Sequence, residues 1–580
     1  MKKNHYFIVI ILAVLGLWTA CSEDFLEITP KGSLDITVLA SKEGANGMLI
    51  GCYSMLDGVN SSFGWEAASS NWVYGDIRGM VGNKGTDAGD QPDINPLQTF
   101  SETATNPYLN IKWRSVYEAI SRCNNTILVT ALALGNGSLT AEEAELITKQ
   151  AITLRGWYHF EAWRMWEKIP YVDENTDALN VKNDVDVRDK ILADLSVGLT
   201  LPNDMDQVGR FNATVARVLL AKAMMQMNGN YTDAEPLLQT VKTSGTKPDG
   251  SAVGLADTYG EVFDIVNRNG IETIYTVQYS VNDGSGAWNG GWGEVLNFPY
   301  KGNNGSPGGC CGFFQATQEY VNSFRTENGL PLLDNSYNDD PVVSDQGINF
   351  ADPFTEDAGL LDPRLDWSIG RRGIPYWDWG IHTGSDWIRD QTYAGPYSPK
   401  KQVYKKAQQG QYTEVGNWTS GWTANGYRMI RYADVLLLLA ECQIENGDLD
   451  GAFENINLVR ARATNPDGFV LEDDGVTPAA NYDIEEYPAA GAYPFDTQAN
   501  ARIALRMERK LELGMEGHRW FDLNRWGNTV TELNRVLTYE KTMPWGNSMY
   551  GSAIVGPEDV TYPIPQRQLD LANGNLTPNR

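Results

Sequence analysis

A group of carboxylates lies near the C-terminal end of the sequence, and paired carboxylates are the groups that glycosidases use for acid–base catalysis. Glu508 and Glu512 are four residues apart, so they share one face of a helix. Basic residues alternate with these acids, which favours ion pairs that orient the helix over a catalytic pair. The carboxylates are Glu508, Glu512, Glu516 and Asp522, and the interleaved basic residues are Arg506, Arg509, Lys510 and Arg519.

The sequence contains no motif of a serine nucleophile, a phosphate-binding loop or a zinc protease. His159, His382 and His518 have no partner at catalytic or metal-ligand spacing. Aspartate-rich stretches at 173–189 and 334–345 lack the pattern of an EF-hand calcium loop. We therefore expect a protein without catalytic residues, metal or cofactor, although the many acidic residues leave a secreted glycosidase open as an alternative.

Tryptophan is frequent, with 18 residues in a chain of 580, about twofold or more above the usual content of soluble proteins. Many of these residues lie in segments rich in Gly, Asn and Asp rather than in helices. Aromatic rings on such segments either pack under the loops or form a binding face. A sugar ring has an apolar face that stacks on an indole, and its hydroxyls need Asn, Asp or Gln partners, so these loops fit a carbohydrate ligand.

The overall charge restricts the possible partners. Lys and Arg total 46 against 74 Asp and Glu, which gives a formal net charge of -28. Nucleic acid and anionic membrane surfaces are polyanions and would be repelled. We therefore expect no nucleic-acid partner, whereas neutral ligands carry no such penalty.

The N-terminus has the pattern of a signal peptide. Lys2 and Lys3 precede an apolar run, 6–18, that is too short to span a bilayer as a helix. The run ends at Ala20-Cys21, which resembles a bacterial lipoprotein signal in which the cysteine is lipidated and becomes the first mature residue. We therefore predict removal of residues 1–20 and a lipid anchor on Cys21, with an ordinary signal peptide as the alternative.

Apolar residues at three- and four-residue spacing predict a helical scaffold at about 109–245 and 428–526. One predicted helix has Met429, Ala433 and Leu436 on the same face. Two turns, 228–234 and 446–452, share the pattern N-G-x-x-x-x-A, in which the Gly ends one helix and the Ala lets the next helix approach closely. These turns resemble those of tetratricopeptide helical pairs, with two unrelated helical hairpins as the alternative.

Long irregular segments at about 61–107 and 280–425 separate or precede the helices, with only short β-like runs. Such segments within a folded protein usually carry binding function. Cys310 and Cys311 are adjacent in one of them, and in an exported protein they could form a vicinal disulfide; two reduced or otherwise packed thiols are the alternative.

Several multi-residue motifs occur in order along the chain and resemble those of the SusD/RagB family of outer-membrane lipoproteins. The resemblance covers nearly the whole chain and implies a single mature domain, 21–580, that is mostly α-helical, with tetratricopeptide-like helical pairs, long irregular loops and a few short strands. The motifs are Cys21 to Leu26 with Pro30; Leu154 to Phe160 with Trp166 to Pro170; Arg431 to Leu437 with Asn457 to Ala463; Glu508 to Leu513; Glu516 to Leu523 with Arg525-Trp526; and Tyr562 to Leu569 with Asn575 to Asn579.

In the family that the chain resembles, loops in about these two parts of the sequence build the glycan site. We therefore expect indole rings there to stack on sugar and neighbouring polar side chains to bind hydroxyls. A second, weaker candidate is Trp377 with Trp379, because residues two apart on an extended segment face the same side. The predicted stacking residues are Trp65, Trp72, Trp288 and Trp292, and the predicted hydroxyl partners are Asp76, Asn95, Asn289 and Asn303.

The resemblance implies a lipid-anchored protein at the surface of the outer membrane. It would capture oligosaccharide or polysaccharide and deliver it to a SusC-like TonB-dependent transporter, without covalent chemistry. A peptide-capturing member like RagB is the alternative within the binding class. A secreted glycosidase and a purely structural surface protein are the alternatives from other classes.

Overall fold

The computed structural model describes residues 36–58, 64–177, 179–300, 302, 305–415, 419 and 421–580. The predicted signal peptide, the predicted lipidation site Cys21 and the predicted ligand residue Asn303 lie outside these residues. Within the described ranges, none of the helices is both long and apolar enough to cross a membrane.

Helices make up most of the regular structure, and the strands are short and scattered through the irregular segments. The helices are α1 Lys42–Ser54, α2 Ile94–Gln98, α3 Pro107–Gly135, α4 Ala141–Trp166, α5 Arg188–Val197, α6 Ala213–Asn228, α7 Tyr231–Ser244, α8 Gln318–Asn322, α9 Leu365–Ser368, α10 Gln391–Ala394, α11 Tyr432–Asn446, α12 Leu449–Ala463, α13 Gln498–Leu513, α14 Arg519–Arg525, α15 Thr529–Glu540, α16 Gly546–Tyr550 and α17 Gln566–Leu571. The strands are β1 Gly82–Gly85, β2 Thr273–Val277, β3 Phe313–Ala316, β4 Thr326–Glu327, β5 Leu330–Pro331, β6 Ile369–Gly370, β7 Ser398–Pro399, β8 Thr413–Glu414, β9 Trp422–Thr423 and β10 Tyr427–Arg431.

The two longest helices, α3 and α4, pack against each other, and α1 and α5 pack on either side of this pair. Their ends follow from local sequence. Pro107 occupies the first turn of α3 after an Asn106 cap, where a missing N–H costs nothing. Thr140 and Glu143 form a capping box at the start of α4, so each satisfies a backbone N–H that the first turn would otherwise leave unpaired.

The two turns that share the N-G-x-x-x-x-A pattern join helical pairs, as predicted. Gly229 ends α6 and Gly447 ends α11, and both adopt the left-handed conformation. Ala234 and Ala452 are fully buried against the preceding helix. The pairs α6–α7 and α11–α12 lie side by side, because α7 packs against α11, and the Asn446 side chain donates a hydrogen bond to Glu235 across them. Two segments that are far apart in sequence therefore build one helical layer.

The structure corrects the start of α11. Met429 lies in β10, which pairs with β2 in an antiparallel ladder with irregular register, and the helix begins only at Tyr432. The apolar spacing that places Met429 on the helix face arises because this strand is buried along its whole length. A buried strand and a helix face cannot be separated by periodicity alone.

The carboxylates of α13 form ion pairs in the interior, as predicted, but their partners come from distant segments rather than from neighbours on the same helix. Glu512 binds Arg364, Arg431 and Arg462, with nitrogen–oxygen distances of 3.1, 3.0 and 2.5 Å. Glu508 binds Arg364 at 2.5 Å, and all of these side chains are almost fully buried. The network therefore joins the irregular middle of the chain to the second helical pair.

The segment between α7 and β10 is largely irregular, as expected, and most of its aromatic residues are enclosed by other loops. Cys310 and Cys311 are joined in a vicinal disulfide within it. Cys52, Cys123 and Cys442 are buried thiols.

Candidate functional site

One tryptophan of the predicted set, Trp288, presents its ring to solvent. Its side chain is 52% exposed, and it stacks on Trp292 with ring centroids 5.0 Å apart and planes 24° from parallel. One face of the Trp288 ring is therefore covered by a parallel ring. An exposed indole backed in this way is a flat apolar surface that can stack on a ligand ring.

Below Trp288, three further tryptophans fix the platform. Trp292 is only 6% exposed, and its indole N–H donates to the Ala287 carbonyl at 2.9 Å. Its ring meets the edge of Trp422 at 5.3 Å and lies 6.3 Å from Trp65. Trp65 belongs to the first irregular segment and Trp288 to the second, so the structure brings these two predicted loop regions together. We call Trp288, Trp292, Trp422 and Trp65 the tryptophan cluster.

Backbone hydrogen bonds hold the loop that carries Trp288. The Ser280 N–H donates to the Asn289 carbonyl at 2.8 Å, which closes the loop at its base. The Gly291 N–H donates to the Thr423 carbonyl at 3.0 Å and ties the loop to β9. The Asn282 side chain donates to the Gly410 carbonyl at 3.0 Å. These hydrogen bonds hold the loop in place, so Trp288 is positioned before any ligand binds. Such positioning reduces the entropy lost on binding.

Polar side chains lie in the same loop as the exposed ring. Asn289 is exposed beside Trp288, and its amide donates to an oxygen of Asp283 at 2.8 Å. The Ser285 backbone N–H donates to the other oxygen of Asp283 at 2.9 Å. Hydrogen bonds from Ser285 and Asn289 lower the pKa of Asp283 well below its usual range, so this carboxylate is ionised at neutral pH. An ionised carboxylate next to an amide suits the hydroxyls of a sugar.

Two predicted residues of the first segment lie inside the protein instead. Trp72 is 1% exposed and donates its indole N–H to the Gly293 carbonyl at 2.9 Å. Asp76 is fully buried and accepts hydrogen bonds from the backbone N–H groups of Gly517 and Arg519, at 2.7 and 3.1 Å. Burial raises the pKa of Asp76 to about 7. Asp76 holds the π-helical turn 72–77 against residues 517–519, and Trp72 holds it against the second irregular segment. Both side chains therefore lie outside the proposed site.

Asn95 does not join the tryptophan cluster. It lies in α2, half-buried, and its amide donates to the Ala88 carbonyl while its oxygen accepts from the Tyr393 hydroxyl at 2.9 Å. Both ends of the side chain therefore have partners within the protein.

The second-choice pair is not on an extended segment. Trp377 has a left-handed backbone, φ 50°, and lies with Trp379 in the turn of a hairpin closed by Pro375 and Ile381. Trp379 is half-buried and donates to the Tyr404 carbonyl at 2.8 Å. Trp377 packs against Trp367. The expectation of an extended segment is wrong, and both rings pack against neighbouring side chains of the protein.

Of the three histidines in the described residues, His159 and His382 have no exposed imidazole to offer to a ligand or a metal. His159 and His382 are buried and His518 is half-buried, and burial lowers the pKa of His159 and of His382 to about 3 and that of His518 to about 4. Within the described ranges, no group of His, Cys, Asp and Glu has the geometry of a metal site.

Sequence reasoning missed Asp283 and Trp422 as members of the site. Asp283 precedes the run G-S-G, a turn signal in which an aspartate commonly binds backbone N–H groups. This signal could have placed Asp283 at the loop tip. No local signal distinguishes Trp422 from the other loop tryptophans, because its role depends on the pairing of β9 with β8 and on the approach of a loop more than a hundred residues away in sequence.

Comparisons with known proteins place this geometry in a family. A SusD-like protein from Bacteroides ovatus is 20% identical over 285 residues, which cover 47% of this chain and about half, 49%, of that protein. SusD-like protein P2 from Formosa agariphila is 22% identical over 601 positions, which cover 100% of this chain and 99% of that protein.

Among solved structures, the chain is similar to surface glycan-binding protein A from Bacteroides thetaiotaomicron in complex with laminarihexaose. The TM-score is 0.63 at 20% identity, covering 93% of this chain and 99% of that chain. At this identity the likeness shows a shared fold, and it confirms the predicted mostly helical class. The family model described as the SusD family matches residues 271–580, more than half of the sequence. The chain therefore belongs to the SusD family.

Proposed function

We propose that this protein captures oligosaccharide or polysaccharide at the cell surface and delivers it to a SusC-like TonB-dependent outer-membrane transporter. Membership of the SusD family supports the role, and a similar fold has been solved with laminarihexaose bound. In this proposal the protein is held at the outer membrane by lipid on Cys21, and it acts by binding and release.

The observation that carries the proposal is the exposed face of Trp288 on its stacked base. One face of a pyranose ring can lie on this indole, while the Asp283 carboxylate and the Asn289 amide bind its hydroxyls. The acidic surface of the chain agrees with a neutral ligand, since a polyanionic one would be repelled. We place Trp65 in the support under the ring, with Trp292 and Trp422, because all three are buried.

The test is a binding screen of residues 22–580 against plant, host and microbial polysaccharides and against peptides, with product analysis on the same samples. Retention of one glycan class without cleavage supports the proposal. Retention of peptides alone would indicate that the protein captures peptides, as the RagB-like alternative predicts. Appearance of shortened products would replace capture with glycosidase activity.

The screen is then repeated with Trp288→Ala, using whichever glycan is retained. Loss of the stacking ring should weaken binding about tenfold, or ~1.4 kcal/mol. Trp288→Phe keeps an aromatic face and should recover part of the affinity. Phe350→Ala, which removes an exposed aromatic from a different loop, is the matched control and should bind as the unmodified chain does. Equal affinity of the Trp288→Ala variant would move the site away from the tryptophan cluster.

A further inference from the structure

A cavity of about 200 Å³ lies among the C-terminal helices, and its lining has an excess of positive charge. Its charged lining consists of three cationic side chains, Arg506, Lys510 and Arg519, and one acidic side chain, Glu532. Asn335, Tyr337, Trp526 and Asn528 complete its polar lining. In a chain with a net charge of -28, an enclosed group of cations is unusual because acidic partners are abundant.

Arg506 forms no ion pair within the described part of the chain. It is half-buried, and among the described residues no carboxylate lies within ion-pair distance of its guanidinium. Its guanidinium carbon lies 5.2 Å from the centroid of the Trp526 ring. Burial lowers the pKa of Arg506, with a further contribution from the positive charges of Arg502 and Arg519, while the negative charges of Glu441 and Glu445 oppose this shift. A half-buried cation without an ion-pair partner loses part of its hydration, and an anion in the cavity would compensate for that loss.

Arg519 has hydrogen-bonding capacity left over in the same cavity. The residue is 8% exposed, and one of its terminal nitrogens, Nη2, donates to Glu532 at 3.2 Å. Its other terminal nitrogen, Nη1, is buried and has no hydrogen-bond partner in the described part of the chain. The indole N–H of Trp526 is buried and equally without a partner there. The two side chains that carry these unsatisfied donors, Arg519 and Trp526, line the cavity together with Arg506.

The start of α15 adds a further positive contribution. Asn528 caps this twelve-residue helix, but its side chain makes no capping hydrogen bond. The N-terminal N–H groups of a helix attract anions through their partial positive charge. Lys510, by contrast, is already compensated, because it donates to Glu319 at 2.8 Å. The cavity cation without an ion-pair partner is thus Arg506, and Arg519, which pairs with Glu532, adds its unsatisfied Nη1.

We propose that the cavity between Arg506, Arg519 and Trp526 is a binding site for a small oxyanion, of the sulfate, phosphate or carboxylate type. Guanidinium groups bind such oxyanions with paired N–H donors, and the indole N–H supplies another. The volume is large enough for the group on its own or for the acidic unit of a substituted sugar. The site is distinct from the tryptophan cluster and shares no residue with it.

Isothermal titration of the full mature chain tests the proposal, with sulfate, phosphate, glucuronate and glucose as ligands at constant ionic strength. We expect saturable binding of at least one anion at one site per chain and no binding of glucose at this site. Tighter binding of glucuronate than of sulfate or phosphate would indicate that the anion arrives as part of a sugar. The reverse order would indicate a free inorganic anion. The absence of saturable binding by all three anions would overturn the proposal.

Two variants localise the effect. Arg506→Gln should weaken anion binding about tenfold or more, because it removes the uncompensated guanidinium. Arg122→Gln is the control on a different helix, α3, since Arg122 is paired with Glu118 at the surface, and it should leave anion binding unchanged. Equal binding by Arg506→Gln and the unmodified chain would contradict the assignment. If Arg506→Gln fails to fold, crystals of the unmodified chain soaked in selenate decide the question, because an anomalous peak must lie beside Arg506 and Arg519.

Discussion

At the scale of single residues, burial divides side chains that look alike in the sequence. Trp72 and Trp288 both lie in Gly- and Asn-rich segments, yet one is 1% and the other 52% exposed. Asp76 and Asp283 differ in the same way. The first is buried and its pKa is raised to about 7, whereas the second is exposed at a loop tip and its pKa is lowered by the hydrogen bonds it accepts. The exposed member of each pair is therefore the one suited to a ligand.

Glu540, at the end of α15, should make the stability of the protein depend on pH. Its carboxyl is fully buried and accepts a hydrogen bond from the Glu319 N–H at 2.7 Å. Burial raises its pKa to about 8, above the value of about 4.3 in an unfolded chain. The folded state therefore holds a proton that the unfolded state loses, and the stability contributed by this group is present at low pH and decreases as pH rises towards 8.

Glu540→Gln cannot ionise and retains the accepting oxygen. We expect the variant to become more stable relative to the unmodified chain as pH rises from 5 to 8, by at most about 1.4 kcal/mol per pH unit. The measurement is the free energy of unfolding by denaturant at several pH values. Glu118→Gln, which changes an exposed carboxyl on α3, should show no such trend. A constant difference between Glu540→Gln and the unmodified chain across this range would mean that Glu540 ionises normally in the folded state.

What the sequence predicts about residues is limited by information that only the fold contains. Asp76 accepts hydrogen bonds from the Gly517 and Arg519 N–H groups, which lie more than four hundred positions away in sequence. No local pattern predicts such a contact. Trp288 and Trp292 could be chosen from their loop and from the family resemblance. The sequence did not predict that Trp288 is exposed and that Trp292 lies buried beneath it. Only the packing of the chain decides which ring of the cluster reaches solvent.

At the scale of elements, the helices are predicted well because their signals are local. Caps at Asn106 and Thr140 and glycines at 229 and 447 act within a few residues, and the structure has helix boundaries at each of these positions. The loops are predicted only as loops, since their conformation depends on distant partners. The error at Met429 has the same origin, because β10 is a strand only through its pairing with β2.

The turn after α6 permits a test of whether local residues determine where a helix ends. Gly229 has a φ of 58° and an added Cβ would contact nothing, so replacement by Ala changes backbone preference alone. Because the left-handed conformation is costly for a residue with a Cβ, Gly229→Ala should destabilise the fold by about 1 kcal/mol.

Gly47→Ala is the complementary change. Gly47 is exposed in the interior of α1, and an added Cβ there also contacts nothing. Alanine is the better helix former, so this variant should be more stable by up to about 1 kcal/mol. Denaturant unfolding of both variants checks the pair. Destabilisation by both, or stabilisation by both, would show that the backbone argument is incomplete.

At the scale of the whole molecule, the helical layer and the ion-pair network hold the loops in fixed positions. Glu512 connects arginines from the irregular middle of the chain, from β10 and from α12. Truncating one member of such a buried network leaves charges without partners. The network explains how a chain with long irregular segments can present the tryptophan cluster on a rigid base, without requiring any of its carboxylates to act in catalysis.

The last proposed feature of the whole molecule is its attachment, which determines whether captured ligand can reach a transporter. If lipid on Cys21 anchors the chain, Cys21→Ala should move the protein from the outer-membrane fraction to the soluble fraction and abolish labelling by a fatty-acid analogue. Ser22→Ala, one residue away, should leave both unchanged. In detergent extracts, the unmodified chain should copurify with a TonB-dependent channel, and the amount recovered should fall for Cys21→Ala because the chain no longer resides at the membrane. Continued membrane association and fatty-acid labelling of Cys21→Ala would exclude the anchor, whereas a lipidated chain that copurifies no channel would retain the anchor and remove the transporter from the proposed function.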